Sequence, residues 1–75
     1  MANFEMTMNN GMLMMNPLGN VLVEEIDDII SIHADNGFMI NIPKESLEKE
    51  EHLEKKDVYI FDDGSKIVLE YNERE

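Results

Sequence analysis

The sequence predicts a small, mainly β, antiparallel protein, and three observations carry that expectation. Apolar residues alternate with polar ones over short stretches: Phe4, Met6 and Met8, then Phe38, Ile40 and Ile42, then Ile67, Leu69 and Tyr71. Period-two alternation puts the apolar set on one face of a half-buried strand. Asn10-Gly11, Asp35-Asn36-Gly37 and Asp62-Asp63-Gly64 stand between such stretches and favour tight turns. β-Branched residues, which suit strands, cluster at Val21, Val23, Ile30 and Ile32. The expected architecture is a small SH3-like barrel or curved sheet of three hairpins, with one short helix near 44–56. The alternative is an α+β fold with a helix at 22–30.

The first hairpin runs from Phe4 through Asn10-Gly11 to Met12-Leu13-Met14-Met15, and Asn-Gly is suited to a type I′ turn. Asn16-Pro17-Leu18-Gly19-Asn20 then breaks the chain. From Val21 to His33 two periods compete. Leu22, Ile26, Ile29 and Ile30 have helical spacing with Glu24, Glu25, Asp27 and Asp28 opposite, while the β-branched content favours a strand bent or bulged near Asp27-Asp28. The strand is preferred. Ile30, Ile32 and Ala34 lead through Asp35-Asn36-Gly37 to Phe38, Ile40 and Ile42, the second hairpin. Pro43 suits a first helical position, and Glu45–Lys49 and Glu51–Lys55 are helix-supporting pairs, which predicts the short helix. Val58, Ile60 and Asp62-Asp63-Gly64 lead to Ile67, Leu69 and Tyr71, the third hairpin, and residues 72–75 are expected to fray.

Seventy-five residues form one domain, 1–75, near the size at which a single core is only marginally sufficient. With no cysteine, disulfides and thiolate metal sites are excluded, so self-association as a homodimer is the expected supplement. The N-terminus has neither a basic region nor a continuous apolar core of a secretory signal, and no run approaches the ~20 apolar residues that span a bilayer. A cytoplasmic protein with no membrane partner is expected.

Charge is the strongest functional signal. No lysine or arginine precedes Lys44, whereas Glu5, Glu24, Glu25, Asp27, Asp28 and Asp35 do, and the whole chain carries a formal charge of -11. Such an excess repels nucleic acid and anionic lipid and attracts basic proteins. In the C-terminal half, Glu45, Glu48, Glu51 and Glu54 are interleaved with Lys49, Lys55 and Lys56, which a solvated helix face explains. The N-terminal acids have no such neutralisation.

The motifs exclude more than they assign. Ahead of Gly37 the calcium-loop ligand positions hold Ile32, Ala34 and Asn36, and ahead of Gly64 they hold Tyr59, Phe61 and Asp63, so no metal or other cofactor is expected. Catalysis by an acid pair needs two carboxylates in different environments within a cleft, and nothing predicts one. His33 is expected to point outward from a strand end, and His52 to be solvated on the helix near Glu48. No enzymatic activity is expected. The methionines Met6, Met8, Met12, Met14, Met15 and Met39 are adaptable apolar groups. Most of them suit a core, but a first hairpin apolar on both faces must bury the second one, and Met6, Met8, Met12 and Met14 are expected at a dimer interface.

Carboxylates on alternate strand positions lie roughly 6.6 Å apart, while DNA carries a phosphate per ~3.4 Å of axis on each strand. Rows of acids can therefore imitate phosphate rows before a basic groove. Glu24, Glu25, Asp27 and Asp28 are the expected centre of such a surface, with Asp35, Asp62 and Asp63 extending it. In size, acidity, absence of cysteine and lack of enzyme motifs the chain resembles the small DNA-mimic inhibitors of bacteriophages, a likeness of overall character over all 75 residues. That resemblance implies a basic DNA-binding target: nucleoid-associated HU, a nuclease or an RNA polymerase. The competing expectation is an SH3-like adaptor or regulatory module whose acids serve solubility.

Overall fold

Three turns of the chain repeat one hydrogen-bond pattern. In the computed structural model, which describes residues 2–71, the N–H groups of Gly11, Gly37 and Gly64 donate to the carbonyls of Met8, Ala34 and Phe61, at 3.0, 3.1 and 3.1 Å. One step outward, Met8, Ala34 and Phe61 donate to Met12, Phe38 and Ser65, at 2.8, 2.9 and 2.8 Å. The side-chain oxygens of Asn10, Asn36 and Asp63 accept from the backbone two residues on. This is the three-residue hairpin that ends on a left-handed residue, and Gly64 at φ 94° shows why glycine closes it. Asn10 has no positive φ, so the type I′ turn expected at Asn10-Gly11 is corrected to this longer form.

The elements are β1 (Ala2–Thr7), β2 (Leu13–Leu18), β3 (Val21–Ile26), β4 (Ile29–Ala34), β5 (Met39–Pro43), a 3-10 turn (Lys44–Ser46), β6 (Leu47–His52), β7 (Lys56–Phe61) and β8 (Lys66–Tyr71). They make a five-stranded sheet A, ordered β2-β1-β8-β7-β6, and a three-stranded sheet B, ordered β3-β4-β5, both antiparallel. The protein is thus mainly β as expected, but among the described residues the sheets stay open and no closed barrel forms. The three expected hairpins are present as β1–β2, β4–β5 and β7–β8, joined by two more, β3–β4 and β6–β7.

Three further expectations are overturned. The alternative helix at 22–30 is a hairpin: Ile26 pairs with Ile29, and Asp27-Asp28 form a two-residue turn with Asp27 at φ 57°. The preferred bent strand is corrected by the same turn. The helix near 44–56 is also absent: after the 3-10 turn, residues 47–52 pair with β7. A helix there would carry only Leu47 and Leu53 as apolar residues, leaving no face to pack, and helix propensity of a few tenths of a kcal/mol per residue does not replace packing. As a strand, the segment satisfies the backbone of β7, and its charges guard a sheet edge. An irregularity between Leu47 and Lys49 turns Glu48 out to solvent. The tail 72–75, expected to fray, lies outside the described residues.

One apolar cluster joins the sheets. Ala2, Phe4, Ile67, Leu69 and Tyr59 from sheet A meet Ile30, Ile32 and Ile42 from sheet B, with Leu18 entering from the end of β2. Phe38 closes it, its ring 4.9 Å from that of Phe4. Gly19 makes the corner between the sheets, where a Cβ would collide with the Asp35 carboxylate.

Candidate functional site: an acidic end

Two backbone hydrogen bonds gather acids from distant parts of the chain. Lys44 N–H donates to Asp28 carbonyl at 2.8 Å, and Asp62 N–H donates to Ser46 carbonyl at 3.0 Å. The turn Asp27-Asp28, the connector Lys44–Ser46 and the turn Asp62-Asp63 therefore lie side by side. Hydrogen-bonded segments of this kind stand about 5 Å apart. Asp27, Asp28, Glu45, Asp62 and Asp63 are all exposed on this end of the molecule.

The local chemistry separates free acids from occupied ones. Lys44 forms an ion pair with Glu25, and its ammonium is held above the usual range by that bond, with further attraction from Glu50 and Asp28. Glu25 is thereby neutralised by a local base. Asp63 accepts the Ser65 backbone N–H at 2.9 Å, which keeps its carboxyl below the usual range. Its negative charge is retained while one of its oxygens holds the turn. Asp27, Asp28, Glu45 and Asp62 have no ion-pair partner among the described residues.

The expected acidic surface is only partly assembled. Strand alternation sends Glu24 and Glu25 to opposite faces, and Glu24 points toward His33, 4.0 Å away on the outer face of sheet B. His33 points outward from the end of β4, as expected, and is partly covered by its neighbours. Asp35 sits at the opposite end of β4 from Asp28, roughly 23 Å along the strand direction, where its N–H donates to Asn20 carbonyl. Glu45, which the helix reading assigned to a solvated face, joins the acidic end instead.

The four expected interface methionines divide. Met6 packs against the core and Met8 is half-buried, whereas Met12 and Met14 are exposed together with Leu13 and Met15. A second apolar surface was hidden in the sequence. Register places Leu22, Ile26, Ile29 and Met39 on the outer face of sheet B, all exposed, around Glu24, Ser31 and Asn41. The helical spacing of Leu22, Ile26 and Ile29 concealed a hairpin apolar on both faces.

A polar network also escaped the sequence reading. His52, on β6 rather than a helix, lies 2.8 Å from Asp57 Oδ1 and 3.1 Å from Glu50 Oε1, and the Tyr71 hydroxyl donates to Asp57 Oδ2 at 2.7 Å. The two carboxylates, Asp57 foremost, raise the imidazole's affinity for a proton. Burial of the Tyr59 phenol beneath it raises that group to about 12, with Asp57, Glu50 and Glu25 adding to the shift. Among the described residues no His, Asp and Glu side chains converge as a metal site, and no helix is long and apolar enough to cross a membrane. No protein family, curated protein or solved structure matches the chain.

Proposed function

We propose that the protein is an acidic DNA mimic that occupies the DNA-binding surface of a basic protein and keeps DNA from it. The observation that supports this reading most is the side-by-side arrangement of Asp27-Asp28, Glu45 and Asp62-Asp63. These acids come from three separate chain segments, yet they form one exposed end with Lys44 as the base on its connector. Backbone hydrogen bonds join the two turns to the connector, so these segments are already side by side before binding. A target that reads backbone charge rather than base edges suits such a surface, and nucleoid-associated HU, a nuclease or a polymerase channel has that character. The activity is binding and exclusion, with no chemical step, cofactor or direct nucleic-acid contact.

Capture from a bacterial lysate tests the reading. DNA-binding proteins retained at low salt, released at high salt and eluted by duplex DNA support it. Recovery only of partners that neither salt nor DNA releases would reject it.

The outer face of sheet B favours a second reading, a protein-interaction module. Leu22, Ile26, Ile29 and Met39 form an exposed apolar surface of the kind that binds proteins without dependence on charge. Under that reading Ile29→Asp abolishes partner capture and neutralising the acidic turns does not. Under the decoy reading the two substitutions have the reverse effects.

A further inference from the structure

Between Glu5 and Glu24 no charged residue occurs, and this stretch contains all of β2, an edge strand of sheet A. Met12, Leu13, Met14 and Met15 are 63 %, 55 %, 53 % and 69 % exposed, so apolar groups stand on both faces of that edge. Edge strands are ordinarily guarded by charge, and this one is not.

Its free hydrogen-bonding groups can be identified. The bond from Met8 N–H to Met12 carbonyl makes Met6–Met14, Phe4–Asn16 and Ala2–Leu18 the hydrogen-bonded pairs of the β1–β2 ladder. Backbone groups of Leu13, Met15 and Pro17 consequently point away from β1. Pro17 has no N–H, and its carbonyl accepts Asn36 Nδ2 at 3.4 Å. What remains for another strand is the N–H and C=O of Leu13 and of Met15.

We infer that β2 pairs antiparallel with β2 of a second copy, around a two-fold axis at Met14. In this register Leu13 of each copy exchanges both backbone hydrogen bonds with Met15 of the other, so all four free groups per chain are satisfied. An axis at Met15 would oppose Leu13 to Pro17, which lacks a donor. One at Leu13 would oppose Met15 to Gly11, whose N–H is already given to Met8. The occupant is a second copy because charge leaves this edge open to one. Each copy carries -11, the β6 edge presents Glu48, Glu50 and Glu51 against the single lysine Lys49, and the outer face of sheet B presents Glu24. At the β2 edge the acid nearest Leu13 and Met15 is Glu5, one strand inward, and Asp35 stands beyond the far end of the strand, beside Gly19. Glu5 would stand three strand spacings, about 14 Å, from its counterpart, beyond the ~8 Å Debye length at physiological salt. The two five-stranded sheets would become one continuous sheet, with the acidic ends left exposed.

Cysteine cross-linking tests the register in a chain that has no cysteine of its own. Across the axis the Met14 positions would stand about 4.5 Å apart at Cα, within disulfide reach, whereas two Met12 positions would be roughly 13 Å apart. Under mild oxidation Met14→Cys is expected to become a covalent dimer, while Met12→Cys and Met39→Cys remain largely uncross-linked. Met15→Pro removes an outward N–H without touching the β1 ladder, and is expected to weaken dimerisation at least tenfold in sedimentation while the circular dichroism of the fold is kept. A wild-type chain that sediments as an 8.7 kDa monomer at high micromolar concentration overturns the inference. So does cross-linking of Met12→Cys or Met39→Cys as fast as that of Met14→Cys.

Discussion

His52 and Asp57 stand directly opposite one another across the β6–β7 ladder, with Nδ1 of the imidazole 2.8 Å from Oδ1 of the carboxylate. Glu50 engages the other ring nitrogen, so one imidazole lies between two carboxylates. A protonated ring donates from both nitrogens, which is the state this arrangement stabilises.

The pH dependence of stability follows from the sign of that shift. The folded-state affinity of His52 for a proton is raised above the usual 6.5. Its contribution is fully present below about pH 6.5 and is lost as pH rises through the folded value. His52→Gln should therefore lower the urea midpoint at pH 5.5 and leave the midpoint at pH 9 nearly unchanged. Equal losses at both pH values would show that packing, rather than the proton, is what His52 supplies.

Tyr71 donates to the same carboxylate from β8, which ties the third strand into the network. Tyr71→Phe should cost about 1.5–3 kcal/mol, the range for a hydrogen bond to a charged group. Denaturant unfolding measures this, and a loss below a few tenths would mean that water replaces the hydroxyl without penalty.

Backbone conformation distinguishes two turn positions. Gly64 at φ 94° has a conformation that an L side chain adopts only with strain, so Gly64→Ala should destabilise by about 1–2 kcal/mol. Asp27 at φ 57° bears such strain already, and Asp27→Gly should stabilise by about 0.5 kcal/mol or be neutral. Thermal unfolding midpoints that move in the reverse order would contradict the assigned turns.

Burial sets the scale of core substitutions. Ile32 is completely buried between the sheets, and Ile32→Ala should cost about 2–5 kcal/mol, enough to unfold much of so small a domain. Met39→Ala, on the exposed outer face of sheet B, should stay within about 0.5 kcal/mol. Comparable losses at both positions would mean that the outer face is covered in solution.

The sequence made most of the strands legible where glycine marked a turn. Asn10-Gly11, Asp35-Asn36-Gly37 and Asp62-Asp63-Gly64 each close a hairpin, and alternation beside them gives the inward residues Phe4, Ile32, Ile42, Ile67 and Leu69. Asp27-Asp28 lacks that mark, because aspartate takes a positive φ only as a minor state, so the local sequence points to a bend and not to a turn. Residues 47–52 look helical in sequence because glutamate and lysine favour helices locally, while pairing with β7 depends on partners five to fourteen residues away. The acidic end was half legible. Which acids were present was plain, and Asp62 and Asp63 are expected beside Asp27-Asp28 from the sequence, but that Glu45 would join them and Asp35 would not depended on which turns shared an end of the fold.

Competition at a single DNA-binding protein tests the decoy reading most directly. With fluorescently labelled duplex bound to HU, anisotropy should fall as this protein is added, and the effect should weaken steeply between about 50 and 200 mM salt. Asp27→Asn, Asp28→Asn, Glu45→Gln and Asp62→Asn combined preserve the two backbone bonds that join the turns and leave Asp63 to hold its own turn. That variant should remain folded and lose at least tenfold in displacing power. Displacement that the four substitutions leave unchanged, or none by the wild type at either salt concentration, would contradict it.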